Sequence, residues 1–403
     1  MSSVKNKSPS LTTKSRPPTL LFAIAVGVII MNDFAPQPLV GLIAASFGLG
    51  PSWTSIAATA TLLGYAVGLF FLVPLSDIVE SRALAIWMLI GATCCAAVVT
   101  VASNVGLLLL ALVGLGAGCS AVQVLVPIAA SMAEPERRGR MIGDVMSGMM
   151  AGILLSRPLA SFLSSIWGWR GFYFASVVTL IAVTIMLALA LPHQYPERRA
   201  RYTALVASLG FLLRTESVLR RRSLTAALVM AAFSLFWTAV GLRLTEPPYS
   251  LTQSGIAIFA LAGAGGTFSA PMFGRIGDAG RSRQGLLMAD IILIFAIGLS
   301  AWGGAPSALP PTIGLVLMCI GAFWIDVGIT GDQTLGRRMI NLLAPEVRGR
   351  VNGLFVGIFF IGGAIGSALA GPALARGGWA AVCGIAGLLA SAALLVNWSD
   401  RHT

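Results

Sequence analysis

The chain is poor in almost everything that a water-soluble protein carries at its surface. Only 10% of its 403 residues are charged, 15 are acidic and two are His. A soluble domain carries about 25% charged residues, so a protein folded free in water is excluded. Polar low-complexity tracts are lacking beyond the first residues, which excludes a disordered chain. Five Cys are too few for a disulfide-stapled secreted scaffold. None forms a CxxC pair, and both His residues, His193 and His402, lie in polar connections, so no metal centre is expected. Cys94, Cys95, Cys119, Cys319 and Cys383 all sit in apolar runs and read as small buried hydrophobes. A phosphate-binding loop is missing too. Gly263-Ala-Gly-Gly266 lacks the Lys-Ser/Thr ending and falls in an apolar run. No cofactor is expected.

What is abundant is apolar: 57% of residues, with 46 Gly and a mean hydropathy of +0.87. Twelve apolar segments follow one another, at 19–47, 53–75, 83–102, 105–132, 141–166, 172–191, 224–244, 254–273, 285–303, 309–331, 351–375 and 379–398. Each is long enough to cross a bilayer as a helix of about 20 residues. The fold class is therefore an all-α polytopic membrane protein with twelve transmembrane helices. Gly and Pro inside the segments suit packed membrane helices. Four GxxxG pairs (64/68, 114/118, 148/152 and 362/366) are packing signals.

The net charge of +12 does not point to nucleic acid, because the basic residues form no single face. They recur in short clusters between apolar runs. Of the 27 Lys and Arg, 23 fall on one side of a twelve-span arrangement and three (Arg170, Arg243 and Arg376) on the other, with Arg157 inside a span. By the positive-inside rule both termini are cytoplasmic. Residues 1–18 read as a disordered cytoplasmic tail, since no short apolar core with a cleavage site marks a signal peptide. Residues 193–223 form the one long polar connection, a basic central loop. It separates a six-helix bundle at 19–192 from a second at 224–398, with a short cytoplasmic end at 399–403.

The halves repeat. Glu134-Pro-Glu-Arg-Arg-Gly-Arg140 matches Ala344-Pro-Glu-Val-Arg-Gly-Arg350, and the same offset carries Gly152 to Gly362 and Trp169 to Trp379. Asp77 and Arg82 likewise map onto Asp278 and Arg283. Two homologous halves place a ligand site at their interface, near the bilayer midplane.

Ionisable groups inside spans each cost about 2.5–3.5 kcal/mol at mid-bilayer unless paired or wetted. Asp33, Arg157 and Asp326 are such groups. Asp33 and Arg157 fall at similar depth and are expected to be able to pair, either as a functional couple or as a structural ion pair. Asp326 has no base in its own span. Asn32, Gln37 and Gln123 are neutral hydrogen-bonding groups, suited either to a cavity or to interhelical bonds. Asp290 and Asp332 lie nearer the cytoplasmic interface and are expected to be interfacial.

Along essentially its whole length the chain resembles the major facilitator superfamily of transporters. The resemblance rests on Pro74-Leu-Ser-Asp-Ile-Val-Glu-Ser-Arg82 and its counterpart Gly274-Arg-Ile-Gly-Asp-Ala-Gly-Arg-Ser-Arg283. Gln37-Pro-Leu39, Gly64-Tyr-Ala-Val-Gly-Leu69, Arg157, Gly168-Trp-Arg170, Ile325-Asp-Val-Gly328 and Gly362-Gly-Ala-Ile-Gly-Ser367 resemble its bacterial twelve-span drug and metabolite efflux branch. The chain departs from the pattern at Val73, Glu80 and Ser81, and its fourth helix lacks the Arg found in many drug/proton antiporters.

The resemblance implies two pseudo-symmetric six-helix bundles in a bacterial inner membrane, and export of a small organic molecule by proton antiport with alternating access. It implies Asp33 and Asp326 as proton-coupling candidates and Asn32, Gln37, Gln123 and Arg157 as cavity candidates. Asp77, Arg82, Asp278 and Arg283 would be gating contacts. Expected partners are a small-molecule substrate, protons and the lipid bilayer, with no nucleic acid, and a monomer is expected. Proton-coupled uptake or facilitated diffusion of a metabolite stays open as an alternative. A polytopic membrane enzyme is a distant one, requiring a catalytic Asp33/Asp326 pair. The charge bias predicts that reporter fusions at Ser2, Ala204 and Thr403 read cytoplasm and one at Pro306 reads the outside. A single inverted reporter would overturn the topology.

Overall fold

The computed structural model describes residues 19–195, 202–305, 309–343 and 348–399. The tail 1–18, part of the central loop, Pro306, the 344–347 portion of the repeated motif and residues 400–403 lie outside the described residues. Among the described residues every regular element is helical.

Nine helices among the described residues are long and apolar enough to cross a membrane, and a tenth crossing is the bent pair Thr19–Phe34 and Pro36–Ser46. Two of the nine span 56 and 51 residues, about 80 Å if straight, far beyond a hydrocarbon core of about 30 Å. Both reverse at a glycine with positive φ, Gly168 (69°) and Gly378 (60°), where a side chain would be strained. Twelve crossings result. Thr19–Phe34 with Pro36–Ser46 is α1, Pro51–Asp77 α2, Ser81–Val101 α3 and Val105–Met132 α4. Residues 138–167 and 169–190 are α5 and α6. After a connector helix at Tyr202–Thr215, Ser217–Thr245 is α7, Gln253–Asp278 α8, Ser282–Gly303 α9 and Pro311–Asn341 α10. Residues 348–377 and 379–399 are α11 and α12.

Hydrogen bonds fix the direction of each reversal. Thr19 Oγ1 meets Met141 Sδ at 3.1 Å, and Trp169 Nε1 donates to Ser46 Oγ at 2.8 Å, so α5 runs alongside α1. Arg170 Nη2 donates to Ala102 O at 2.8 Å and Arg82 Nη2 to Ala188 O at 2.7 Å, so α6 returns antiparallel to α3. The second half repeats this. Trp379 Nε1 donates to Ser300 O at 2.9 Å and Arg283 Nη2 to Trp398 O at 3.0 Å, setting α12 against α9. Thr19, Arg82, Arg283 and Trp398 therefore share one end of the bundle, here termed the basic end. Arg170 and Trp379 mark the far end.

Small residues set the packing inside each half. The Cα of Gly148 faces the backbone of Ala23, and Gly152 that of Gly27; Gly362 and Gly366 meet Ala227 and Ala231 in the same way. Two parallel helix pairs, α1/α5 and α7/α11, thus touch backbone to backbone, as membrane helices do through small residues. The outer surface is apolar, with Leu110, Phe174, Phe268, Phe295 and Leu388 all largely exposed. Asp33, Arg157, Arg222, Asp290 and Asp332 are buried instead. That inverted pattern belongs to a protein solvated by lipid.

Two helices are longer than the hydropathy pattern predicts. α7 begins at Ser217 and takes in Arg222, which the sequence assigns to the central loop; α10 continues to Asn341 and takes in Asp332 and Arg337. Charged side chains end an apolar run in a hydropathy window, but they need not end a helix when partners lie beside them.

Adding a Cβ at Gly152 would drive it into the Gly27 carbonyl, whereas Gly91 on α3 has nothing within 4 Å. Gly152→Leu is expected to cost at least the 1–3 kcal/mol typical of overpacking, and Gly91→Leu to be near neutral. Thermal unfolding and monodispersity in detergent check this. Equal behaviour of the two variants would contradict the close α1/α5 contact.

Candidate functional site

The bend in α1 organises the site. Pro36 and Pro38 have no backbone N–H to continue the helix, and the chain turns by 44° at Ala35. Asn32 and Asp33 lie before the bend and Gln37 after it. Asn32 Oδ1 accepts from Ser176 on α6, and its Nδ2 reaches Val28 O at 3.2 Å. This places Asn32 in a helix–helix tie. Asp33 is wholly buried, and neither carboxylate oxygen has a hydrogen-bond partner. Tyr65 and Cys119 lie within electrostatic range of it.

Arg157 pairs elsewhere. Its Nε donates to Gln37 Oε1 at 2.9 Å, and no ion pair joins it to Asp33 among the described residues. Pairing of Asp33 with Arg157 is thus not what the structure has. Similar depth along two helices is not enough, because the 44° bend separates the Asp33 face from the Gln37 face.

The second half surrounds the same guanidinium. Its carbon lies 4.2 Å from the Trp237 ring centroid and 5.0 Å from that of Phe233, with Phe34 of the first half at 5.6 Å. Trp237 Nε1 donates to Asp326 Oδ2 at 2.9 Å. Gly263 sits between: a Cβ there would be 3.4 Å from Asp326 Oδ1 and 3.5 Å from Arg157 Nη1. α8 breaks into a 3₁₀ turn over Leu261–Ala264 at this point, and the missing side chain leaves base and acid facing each other across the gap. Phe233 and Trp237, one turn apart on α7, were not among the sequence candidates. Aromatic residues four apart in an apolar helix read as lipid-facing or core until the Arg opposite them is located.

Towards the basic end lies a narrow cavity of about 70 Å³, well below the roughly 300–1,000 Å³ of typical small-molecule sites, so a bound molecule would have to widen it. Phe34, Tyr65, Phe233, Phe359 and Phe360 form aromatic walls, and Met149, Met150 and Met230 add flexible apolar ones. Polar groups enter at Gln123, Asp326, Thr330, Gln333 and Arg337. Gln123 Nε2 donates to Tyr65 OH at 3.3 Å. Arg337 was counted in a cytoplasmic connection from sequence, yet it stands on α10 in the cavity wall. A crevice between α5, α8 and α10, sharing Met150, Thr330, Gln333 and Arg337 with the cavity, continues it towards the basic end.

The halves meet at the far end. Gly371 N donates to Ser55 Oγ at 3.2 Å, Gly41 faces Leu242 and Gly241 faces Pro38. At the basic end three of the four gating candidates, Arg82, Asp278 and Arg283, bind within their own halves. Arg82 reaches His193 Nε2 at 2.6 Å as well as Ala188, His193 meets Glu80, Asp278 pairs with Arg338, and Arg283 holds Trp398 O. Asp77 lines a crevice that also contains Arg350. The conformation is therefore closed at the far end and entered from the basic end.

Comparison with known proteins agrees with this architecture. The sequence profile described as Major Facilitator Superfamily matches residues 22–331. An Escherichia coli (strain K12) protein named as the transporter YgaY is 32% identical over 383 residues, covering 95% of both chains. A Pasteurella multocida (strain Pm70) protein named as a sugar efflux transporter is 24% identical, covering 95% of this chain and 93% of its own. Among solved structures, a D-xylose–proton symporter superposes with a TM-score of 0.73 at 13% identity, covering 94% of this chain and 96% of that one.

Trp237 does two things at once, and substitution separates them. Trp237→Phe removes the hydrogen bond to Asp326 while keeping a smaller ring over Arg157, at an expected cost of about 1–3 kcal/mol for the lost bond. Trp237→Ala removes the ring over Arg157 as well, adding up to about 2 kcal/mol for a desolvated cation–π contact and a cavity. Thermal unfolding should rank wild type above Phe above Ala; a Phe variant as unstable as the Ala variant would show that the ring contributes nothing.

Proposed function

This chain belongs to the Major Facilitator Superfamily, a multi-pass membrane transporter, and from that premise we propose that it exports a small amphipathic organic molecule in exchange for protons. The membrane is the bacterial inner membrane, with the basic end and both termini in the cytoplasm, as the 23-to-3 distribution of Lys and Arg favours. The observation that carries the reading is the position of Asp326. It lines the cavity and at the same time holds Trp237, whose ring covers Arg157 of the other half.

A ligand entering from the basic end meets aromatic and Met walls with one acid and one base, Asp326 and Arg337. Such a surface suits a planar or apolar body bearing a hydrogen-bonding group, and Met side chains adapt to differing shapes. Asp326 in its ionised form offsets the charge of Arg157 across Gly263 and accepts from Trp237. Substrate bound beside Asp326 draws its charge away from Arg157, and the desolvated guanidinium is then better hydrated than buried, which favours opening of the far end. Substrate leaves there, and Asp326 takes up a proton from the outside. The neutral acid is carried back and its proton is released when the cavity next faces the cytoplasm, so a proton enters as substrate leaves.

Asp33, buried without a partner, is the second proton carrier on this reading, because a carboxylate in that setting holds a charge only at a cost of several kcal/mol. The bodies that rock are 19–192 and 224–398, joined by 193–223 and acting as a monomer. Arg82, Asp278 and Arg283 exchange their present partners, and Asp77 gains one, in contacts across the halves when the basic end closes.

The test uses purified protein in proteoliposomes under an imposed pH gradient, with a panel of amphipathic compounds. Wild type should accumulate a substrate unmodified against its gradient. Asp326→Asn should abolish accumulation driven by the pH gradient yet keep substrate exchange at no less than about one third of the wild-type rate, since exchange needs no proton turnover. Accumulation by Asp326→Asn after a pH jump would remove Asp326 from the coupling path, and movement of substrate with the proton gradient would make the protein an importer.

A further inference from the structure

Arg337, a cation on the cavity wall, has no partner in the transport cycle above. It stands towards the basic end of α10, where the narrow cavity and the crevice meet, and it lines both. Its Nε is buried without an acceptor, and Arg337 makes no hydrogen bond or ion pair among the described residues. The contrast with Arg157 is direct, since that guanidinium has Gln37, the rings of Phe34, Phe233 and Trp237, and Asp326 around it. The acids near Arg337 are engaged or turned away. Asp278 pairs with Arg338, and Asp144 on α5 is exposed. Asp332 lies about 140° around α10 from Arg337, and Asp326 shares its face but is about 16 Å back along the axis.

The surroundings of Arg337 fit a ligand. Asp326, Thr330, Gln333 and Arg337 recur at helical spacing and form one polar stripe on the cavity face of α10. At the Arg337 end of the stripe the crevice has a volume of about 440 Å³, within the roughly 300–1,000 Å³ of small-molecule sites. Its walls come from both halves, with Met146, Ser147 and Met150 of α5 opposite Pro271 of α8 and Thr334 of α10. A molecule arriving from the basic end therefore finds room first beside Arg337. The planar guanidinium fork matches a carboxylate through two parallel hydrogen bonds. A doubly charged phosphate ester is a poorer match, because Asp278 already neutralises the neighbouring Arg338.

Resting on the transport function above, we propose that the carried molecule is an organic monocarboxylate. Its carboxylate docks on Arg337, its ring-bearing body points along the stripe between Met side chains, and a hydrogen-bond donor at its other end reaches Asp326. Binding also compensates a cation at the boundary between the halves. The loaded protein can then close its basic end over Arg337, whereas closing it empty would strand an unpaired charge.

The experiment is equilibrium binding to the full chain in lipid nanodiscs, with protein-free nanodiscs subtracted and no pH gradient. The probes are para-hydroxybenzoate, para-coumarate and hydroxynaphthoate, each beside its own carboxamide, which keeps the shape and removes the charge. At least one carboxylate should bind wild type roughly tenfold or more tightly than its amide, about 1.4 kcal/mol. Arg337→Gln should erase that preference and leave amide binding unchanged, and Arg337→Lys should keep part of it. Arg281→Gln, which removes an exposed charge at the same end, should keep all of it. Absence of the preference in wild type, a measurement that needs no variant to fold, would overturn the inference. So would a preference that survives Arg337→Gln or disappears in Arg281→Gln. Failure of the export scheme alone reads differently, because the preference then persists while pH-driven accumulation is lost.

Discussion

The arrangement around Arg157 constrains everything else in the bundle. Its guanidinium stays charged at any physiological pH and is 1% exposed, so it must be compensated in place. One hydrogen bond from Nε to Gln37, an aromatic face 4.2 Å away on Trp237, and Asp326 across Gly263 supply that compensation. Gln37 belongs to the first half; Trp237, Gly263 and Asp326 belong to the second. The charge is accommodated only while the halves meet at the far end. Separation either lets water reach Arg157 or strands a buried cation, and a dry open state is therefore not available.

This explains why contacts inside and between the halves differ in kind. Inside each half, α1/α5 and α7/α11 touch through glycine and backbone, a fit that cannot slide without collision. Between the halves at mid-depth the contacts are rings: Tyr65 stacks on Phe360 with centroids 4.2 Å apart, and Phe34 lies 6.2 Å from Phe360. Ring faces tolerate sliding, and their loss costs about 0.5–1.5 kcal/mol per pair beyond area burial. Two bodies locked internally and joined by sliding rings can rock as units, as alternating access requires.

Much of the architecture was legible because lipid solvation leaves a one-dimensional record. Apolar runs, Gly and Pro inside them and the side-biased arginines located the crossings, and the tight reversals at Gly168 and Gly378 fall between predicted segments. The site was legible only as a set of buried charges. Asp326 and Gln37 do converge on Arg157, but Asp33 does not, because partner choice depends on the direction a side chain takes around a bent helix. Asp290 and Asp332 read as interfacial and Arg222 as a loop residue for a different reason. Each lies within two turns of an apparent interface, where hydropathy reads a charge as snorkelling, and only the packing of the surrounding helices reveals that none reaches water.

Helix α10 carries an acid on each of two flanks, Asp326 towards the cavity and Asp332 towards α9. Six residues separate them, about 9 Å along the axis and about 120° around it, so their carboxylates are roughly 12 Å apart. At an effective dielectric constant of about 20, two such charges interact by about 1.4 kcal/mol, a factor of about ten in either proton equilibrium. That is enough for the two acids to sense each other and too little for one to dictate the state of the other. A charge on the Asp332 flank makes a charge on the cavity flank less favourable by that amount, and so strengthens proton capture at Asp326.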